Sequence, residues 1–347
     1  AAVAGDSREL FTNIGVLCEM LARPVESSEA WLTVSRLRGL DRDDAIEAAG
    51  RAIALETEAN PDRSPQVRFT SLSSPLVVPP GEEGVTAIEL LEDKIRHDTR
   101  CDQAAFDRTA WVSRGAVPPR SAWRVYEAVR GDAPPRFLAT LLVFGRQTDR
   151  EPELVLQGFE PDVAAARPTV EALATCSFTA PTALEGMPAT SPTGWLMGAQ
   201  FRMAPPTAPP AAPEPGAPAL VDEMMDRQRR AVWGRFVASW PDTELPELLG
   251  KTPRQALAEA DGSRRVEAIV IEGEATSRRR DAADAWTAVR APLGLKAPQS
   301  IAASKPLEEV PPLRWHRLDM GRLDLEQLRG VLVTSMDAGF ERAAELA

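Results

Sequence analysis

Two histidines and three cysteines set the limit on metal and nucleophilic chemistry in this chain of 347 residues. His97 and Cys101 stand four apart, with Asp98 and Asp102 beside them, a spacing that puts two metal ligands on one face of a helix. A closed zinc site needs four ligands, and His316, Cys18 and Cys176 sit in no paired spacing. The expectation is therefore a polar helix end and no metal. Gly250-Lys251-Thr252 has the ending of a phosphate-binding loop, but that loop also needs a glycine where Leu245 stands, and Pro253 follows at once. The chain has no G-x-S-x-G elbow, no H-E-x-x-H and no C-x-x-C. His316 lies between Arg314 and Arg317, whose charges disfavour an imidazolium. Paired carboxylates carry no signal, because 51 acidic residues supply pairs everywhere. No catalytic, cofactor-binding or metal-binding residue is assigned.

The elements that would position any site follow from composition and periodicity. An apolar fraction of 44% suits a folded protein, and the length suits two or three compact units. The net charge of −11 argues against general nucleic-acid binding. The basic triplets at Arg227, Arg229 and Arg230 and at Arg278, Arg279 and Arg280 read as solvated faces among acids. Lysine is confined to Lys94, Lys251, Lys296 and Lys305, with arginine and alanine abundant, as in chains from GC-rich, bacterial genomes. Few, scattered cysteines fit a reducing compartment, no run approaches the ~20 apolar residues of a membrane span, and no signal peptide is visible. A cytoplasmic protein is expected. The chain starts at Ala1 rather than at methionine, which fits a fragment or a processed form.

Residues 1–60 read as a helical unit. Leu10, Ile14, Leu17 and Leu21 form an i, i+4 stripe with Phe11 and Cys18 beside it. A second helix, capped by Ser28, carries Trp31, Leu32 and Leu37, and a third opens at Asp41 with Ala45, Ala49, Ala52 and Ile53 on one side. Small alanines there let a neighbouring helix approach closely. With Trp31 early in one helix, an Ala-rich helix from Asp44 to Leu55 and Pro61 after it, the stretch resembles one tetratricopeptide repeat of about 34 residues. Val34-Ser35 replaces the usual Leu-Gly pair. One such unit cannot bury its own hydrophobic face, so the resemblance implies neighbours.

Residues 61–200 read as an α+β domain. Strands are expected at Val67 to Leu72 and Leu76 to Val78, then a helix with a Thr86/Glu89 capping box and a stripe of Ile88, Leu91 and Ile95. A further helix is expected at Ser121 to Val129 with Trp123 and Tyr126 on one face. The apolar runs Phe137 to Phe144 and Leu154 to Phe159, around a polar Gly- and Pro-containing loop, predict a β-hairpin. A Pro-rich linker at 201–218 marks the clearest boundary.

Residues 219–347 read as helical. One helix carries Val221, Met225, Val232, Phe236 and Trp240 near one face, and the last starts at Asp324 with Leu325, Leu328, Leu332, Met336 and Phe340 inward. Between them, Thr252 is an N-cap acceptor, Pro253 occupies the first helical position and Gly250 permits the turn before it. The segment from Glu244 to Ile269, with Leu248, Gly250, Thr252, Pro253, Leu257, Gly262 and Val266 in place, resembles the toxin-binding domain of Xre/MbcA/ParS-type antitoxins; Leu249 departs from its glycine pair. The resemblance implies a protein partner, a toxin that degrades NAD. No helix-turn-helix accompanies it. Trp233, Trp240, Trp286 and Trp315 all follow the linker and read as core, with room for one or two interface anchors.

The expectation is an α+β, mainly helical, non-enzymatic scaffold or adaptor that needs no cofactor. Its candidate partner-binding residues are Trp233, Trp240, Leu248, Gly250, Thr252, Pro253, Trp286 and Trp315. The alternatives are a toxin-neutralising protein, or an enzyme with an unrecognised site in the central domain.

Overall fold

The computed structural model describes residues 8–60, 66–76, 84–113, 115–128, 135–146, 151–187, 189–198, 217–301, 306–307 and 310–347. The architecture is α+β and mainly helical. It divides into two compact units: residues 1–65 with 232–347, and residues 66–231.

The N-terminal helices are α1 (Arg8–Met20), α2 (Pro24–Ser35) and α3 (Arg42–Ala59). Asp41 caps α3 by accepting from the Asp43 N–H, which satisfies one orphan donor of the first turn. Trp31, Val34, Ala48, Ala52 and Leu55 form a core with Phe11 and Val16 packed against it. The neighbour that these helices require comes from the other end of the chain. Helix α3 packs on α10 (Ala260–Thr276), where a Cβ at Gly50 would lie 3.4 Å from that of Ala268. The Arg265 guanidinium forks onto both oxygens of Glu56 at 2.8 and 2.7 Å, and Arg36 reaches Asp261 at 2.7 Å. Residues 1–60 and the C-terminal helices thus share one unit instead of standing as separate parts.

The second unit is built on one antiparallel sheet in the order β2-β3-β4-β5-β1-β6: β1 (Phe69–Pro75), β2 (Cys101–Ala104), β3 (Ser121–Tyr126), β4 (Phe137–Phe144), β5 (Glu153–Phe159) and β6 (Thr182–Ala183). The hairpin of β4 and β5 pairs Leu141 with Leu156 and Val143 with Leu154. The sheet is accompanied by α4 (Gly84–His97), α5 (Arg108–Ser113), α6 (Glu160–Ala174) and α7 (Pro192–Leu196), and α4 and α6 bring Ile88, Leu91, Ile95, Val163, Ala166 and Val170 to the core on one sheet face. The segment expected as a helix at Ser121 to Val129 is a strand as far as Tyr126. Trp123 and Val125, two apart, enter the core together, and the aromatic and β-branched run pairs with β4. Val77, Val78, the Thr86 side chain and linker residues 201–216 lie outside the described part.

After the linker, α8 (Ala217–Ser239) leads into a 3-10 turn at Trp240–Asp242, and a second 3-10 turn at Pro246–Leu248 precedes the short α9 (Pro253–Ala256). Then come α10, α11 (Arg280–Ala288), a 3-10 segment at Pro312–Arg317, α12 (Leu325–Ala338) and α13 (Glu341–Leu346). Among the described residues no helix is long and apolar enough to cross a membrane.

Candidate protein-binding surface

Helix α1 is mounted with its apolar side facing outward. Leu10, Ile14 and Leu17, with Leu21 one residue past the helix end and still bonded to the Leu17 carbonyl, fall within an arc of about 60° at ~100° per residue, and they are 41, 37, 56 and 66% exposed. Met20 and, at the start of α2, Val25 are exposed as well.

The opposite side of α1 explains this mounting. Gly15 is buried, and a Cβ there would lie 2.8 Å from Trp31 Nε1, so only glycine lets the indole lie flat on the helix. The Ser27 hydroxyl donates to the Gly15 carbonyl at 2.8 Å. Trp31 Nε1 donates to Glu19 at 2.7 Å, and Arg51 donates to both oxygens of the same carboxylate at 2.9 and 2.8 Å. The Arg51 guanidinium also stacks 4.4 Å from the centre of the Trp31 ring. Burial opposes ionisation of Glu19, but the hydrogen bonds from Arg51 and Trp31 outweigh it and hold the carboxyl below its usual range. A polar anchor with specific geometry therefore fixes the rotation of α1. Rolling the stripe inward would strand Glu19 and expose Trp31.

A second outward face lies on α12. Its capping box is complete, with Asp324 accepting from the Gln327 N–H and Gln327 accepting from the Asp324 N–H. Gly339, at φ 73°, closes the other end. Only Val331 and Ser335 of this helix are buried. Leu325, Leu332, Val333 and Met336 are 84, 38, 52 and 67% exposed, so the expected inward orientation of Leu325, Leu332 and Met336 is corrected. Leu328 and Phe340 are half-buried. The cause is again a neighbour: the Val331 side meets the core of Val310, Trp315, Leu318 and Ala343.

Most of the residues read from sequence as partner-binding serve the core. Trp240 and Trp286 are buried with ring centres 5.3 Å apart, Phe236 lies 4.8 Å from Trp286, and Trp233 reaches Phe236 at 6.4 Å from its half-buried position. Trp315 is buried and donates to the Val310 carbonyl at 2.7 Å. Leu248 and Pro253 are buried as well. Of these side chains only that of Trp233 keeps partial exposure. Thr252 is half-buried in a complete capping box with Gln255, and Gly250, at φ 80°, is exposed. A Cβ at Gly262 would lie 2.2 Å from the Ala256 carbonyl oxygen, so the glycine of this segment serves a close helix approach. The exposed apolar element here is Leu249, left-handed at φ 59° and 73% exposed.

His97 ends α4 while Cys101 begins β2, so they share no helix face, and burial pushes the Cys101 thiol up to about 11. Asp98 pairs with Arg100 at 2.7 Å, and Asp102 with Arg124 at 2.8 Å. Lys251 pairs with Glu259 at 2.6 Å. Among the described residues no cluster of three metal-ligating side chains exists. A cleft of about 190 Å³ is lined by Arg8 and Thr12 of α1, Trp31 and Val34 of α2, and Asp44, Glu47, Ala48 and Arg51 of α3. One charged cluster is buried: Glu274 accepts from Arg290 at 2.7 Å and from Arg317 at 2.7 Å, with His316 Nε2 at 3.6 Å. It ties α10 to α11 and to the 312–317 segment.

No protein-family model, curated protein or solved structure matches the chain.

Proposed function

We propose that this chain is a non-enzymatic scaffold or adaptor that holds protein partners on the outward apolar helix faces of the unit formed by residues 1–65 and 232–347. The observation that carries the reading is the anchoring of α1. A helix whose Gly15 and Glu19 side is fixed in place, and whose Leu10, Ile14, Leu17 and Leu21 side is exposed, presents an apolar surface that a protein partner can bury. The α12 face repeats the arrangement with charged residues around it, Glu326, Arg329 and Asp337, as in an interface with an apolar centre and a polar rim.

The test is affinity purification of the tagged full chain from its native cell, beside a Leu332→Asp/Met336→Asp variant of unchanged circular dichroism. A partner at near-equal stoichiometry with the wild type, and lost with the variant, supports the reading. A chain that comes down alone at every salt concentration overturns it.

Leu249 favours a second reading. A large apolar side chain held at positive φ and exposed at a turn is strained by about 1–3 kcal/mol, and such strain clusters at ligand clamps. In the antitoxin-like reading Leu249 is the tip that enters a toxin. Relief of toxin-driven NAD loss by the wild type, but not by Leu249→Gly, would support it.

A further inference from the structure

The seam on α1 has a symmetry that the α12 face lacks. Leu10, Ile14, Leu17 and Leu21 are spaced four, three and four residues apart, the d-a-d-a order of a two-stranded coiled coil. That spacing is unchanged when the helix is reversed. A two-fold axis across α1 therefore sets Leu10 against Leu21 and Ile14 against Leu17 of a second copy, which is the self-complementarity that an isologous interface requires.

The charges around the seam point the same way. In a chain of net charge −11, a face that meets its own copy must avoid like charges. The positions flanking the seam are Phe11, Asn13, Cys18 and Met20, all uncharged. The two arginines that reversal brings to the same end are each neutralised within their own chain, Arg8 by Asp44 at 2.9 Å and Arg23 by Glu26 at 2.5 Å. Antiparallel helices also oppose their macrodipoles favourably. The α12 face has Arg329 within its row and acids at its rim, and its spacing reads differently in the two directions.

We infer that α1 is a self-association surface, and that the protein is a two-fold dimer through antiparallel α1 helices, displaying two copies of the α12 face. This rests on the scaffold reading and specifies it: one apolar helix face joins the copies and the other is left for a different protein, at doubled valency.

The experiment is analytical ultracentrifugation of the full chain across a wide concentration range. The wild type should pass from monomer to dimer as concentration rises. Ile14→Glu and Leu17→Lys should each weaken association at least tenfold with circular dichroism unchanged. Because Ile14 faces Leu17 of the other copy only in the antiparallel arrangement, an equimolar mixture of the two variants should associate at least tenfold more tightly than either alone. A wild type that sediments as a monomer throughout overturns the inference, and so does a mixture no tighter than its components. Neither result touches the scaffold reading, which the α12 variant tests separately. If Leu17→Lys fails to fold, Leu10→Glu mixed with Leu21→Lys applies the same test at the outer layer.

Discussion

Gly15→Ala tests the mounting of α1 at the residue that permits it. The new Cβ would stand 2.8 Å from Trp31 Nε1 and 2.9 Å from Cε2, so either the indole or the helix must shift. The indole is not free to move, because its N–H is bonded to Glu19 at 2.7 Å and its face carries the Arg51 guanidinium. Overpacking of this kind costs about 1–3 kcal/mol, while alanine returns about 1 kcal/mol of helix propensity. The net expectation is a loss of up to about 2 kcal/mol. Gly330→Ala on α12 is the internal control, since a Cβ there meets nothing within 4 Å, and it should gain up to about 1 kcal/mol. Urea unfolding of both variants, followed by tryptophan fluorescence and far-UV circular dichroism at low protein concentration, reads the difference. Equal stabilisation by the two alanines would refute the packing of α1 on Trp31, and with it the outward stripe.

Leu17→Ala in the dilute monomer should lower stability by no more than about 1 kcal/mol, where a core leucine would lose ~2–5 kcal/mol, because the side chain is 56% exposed. Denaturant midpoints check this. Arg265→Ala should cost about 2 kcal/mol by the same measurement, less than the ~3–5 kcal/mol of a fully buried pair, since the Glu56 side chain keeps 28% of its exposure. Burial opposes ionisation of Glu274, yet His316, Arg290 and Arg317 outweigh it and hold the carboxyl at about 2, against an ordinary 4.5. Its contribution, of the order of 3 kcal/mol, is present above pH 4.5 and lost as pH falls towards 2, so Glu274→Gln should flatten the acid limb of the stability profile. Glu247 has the opposite sign. Burial raises its pKa, and its Oε2 is buried without a hydrogen-bond partner, so stability falls as pH rises through the folded pKa. Glu247→Gln should raise the unfolding midpoint at neutral pH, and the gain should vanish in acid.

The parts of the fold legible in the sequence were those set by local pattern. The runs Phe137 to Phe144 and Leu154 to Phe159 pair as the expected hairpin, and Thr252 with Pro253 opens a helix as capping chemistry requires. The alanines of α3 did admit a neighbour, although local pattern could not name α10 as that neighbour. Ser121 to Tyr126 is ambiguous in sequence because Trp123 and Tyr126 suit a helical face as readily as Trp123 and Val125 suit a strand, and only the pairing with β4 decides. Periodicity locates an apolar stripe without saying which way it faces. On α1 the decision rests with Glu19 and Gly15, whose partners Trp31 and Arg51 come from other helices. A lone glycine opposite the stripe was the available sign, since glycine inside a helix often marks close packing. On α12 the direction of a similar stripe is hidden in the sequence because the burying partner of Val331, around Trp315, arrives from a 3-10 segment with no periodic signature.

The outward orientation of the two apolar helix faces is tested most directly by carbene footprinting of the full chain, resolved to single residues by mass spectrometry. In dilute solution Leu10, Ile14, Leu17, Leu21, Leu325 and Met336 should label heavily while Trp31 and Val331 stay protected. On concentration the α1 residues should lose label and the α12 residues keep it. Protection of Ile14 and Leu17 at the lowest concentration, in a species that sediments as a monomer, would mean that α1 buries its stripe within the chain and would contradict the account.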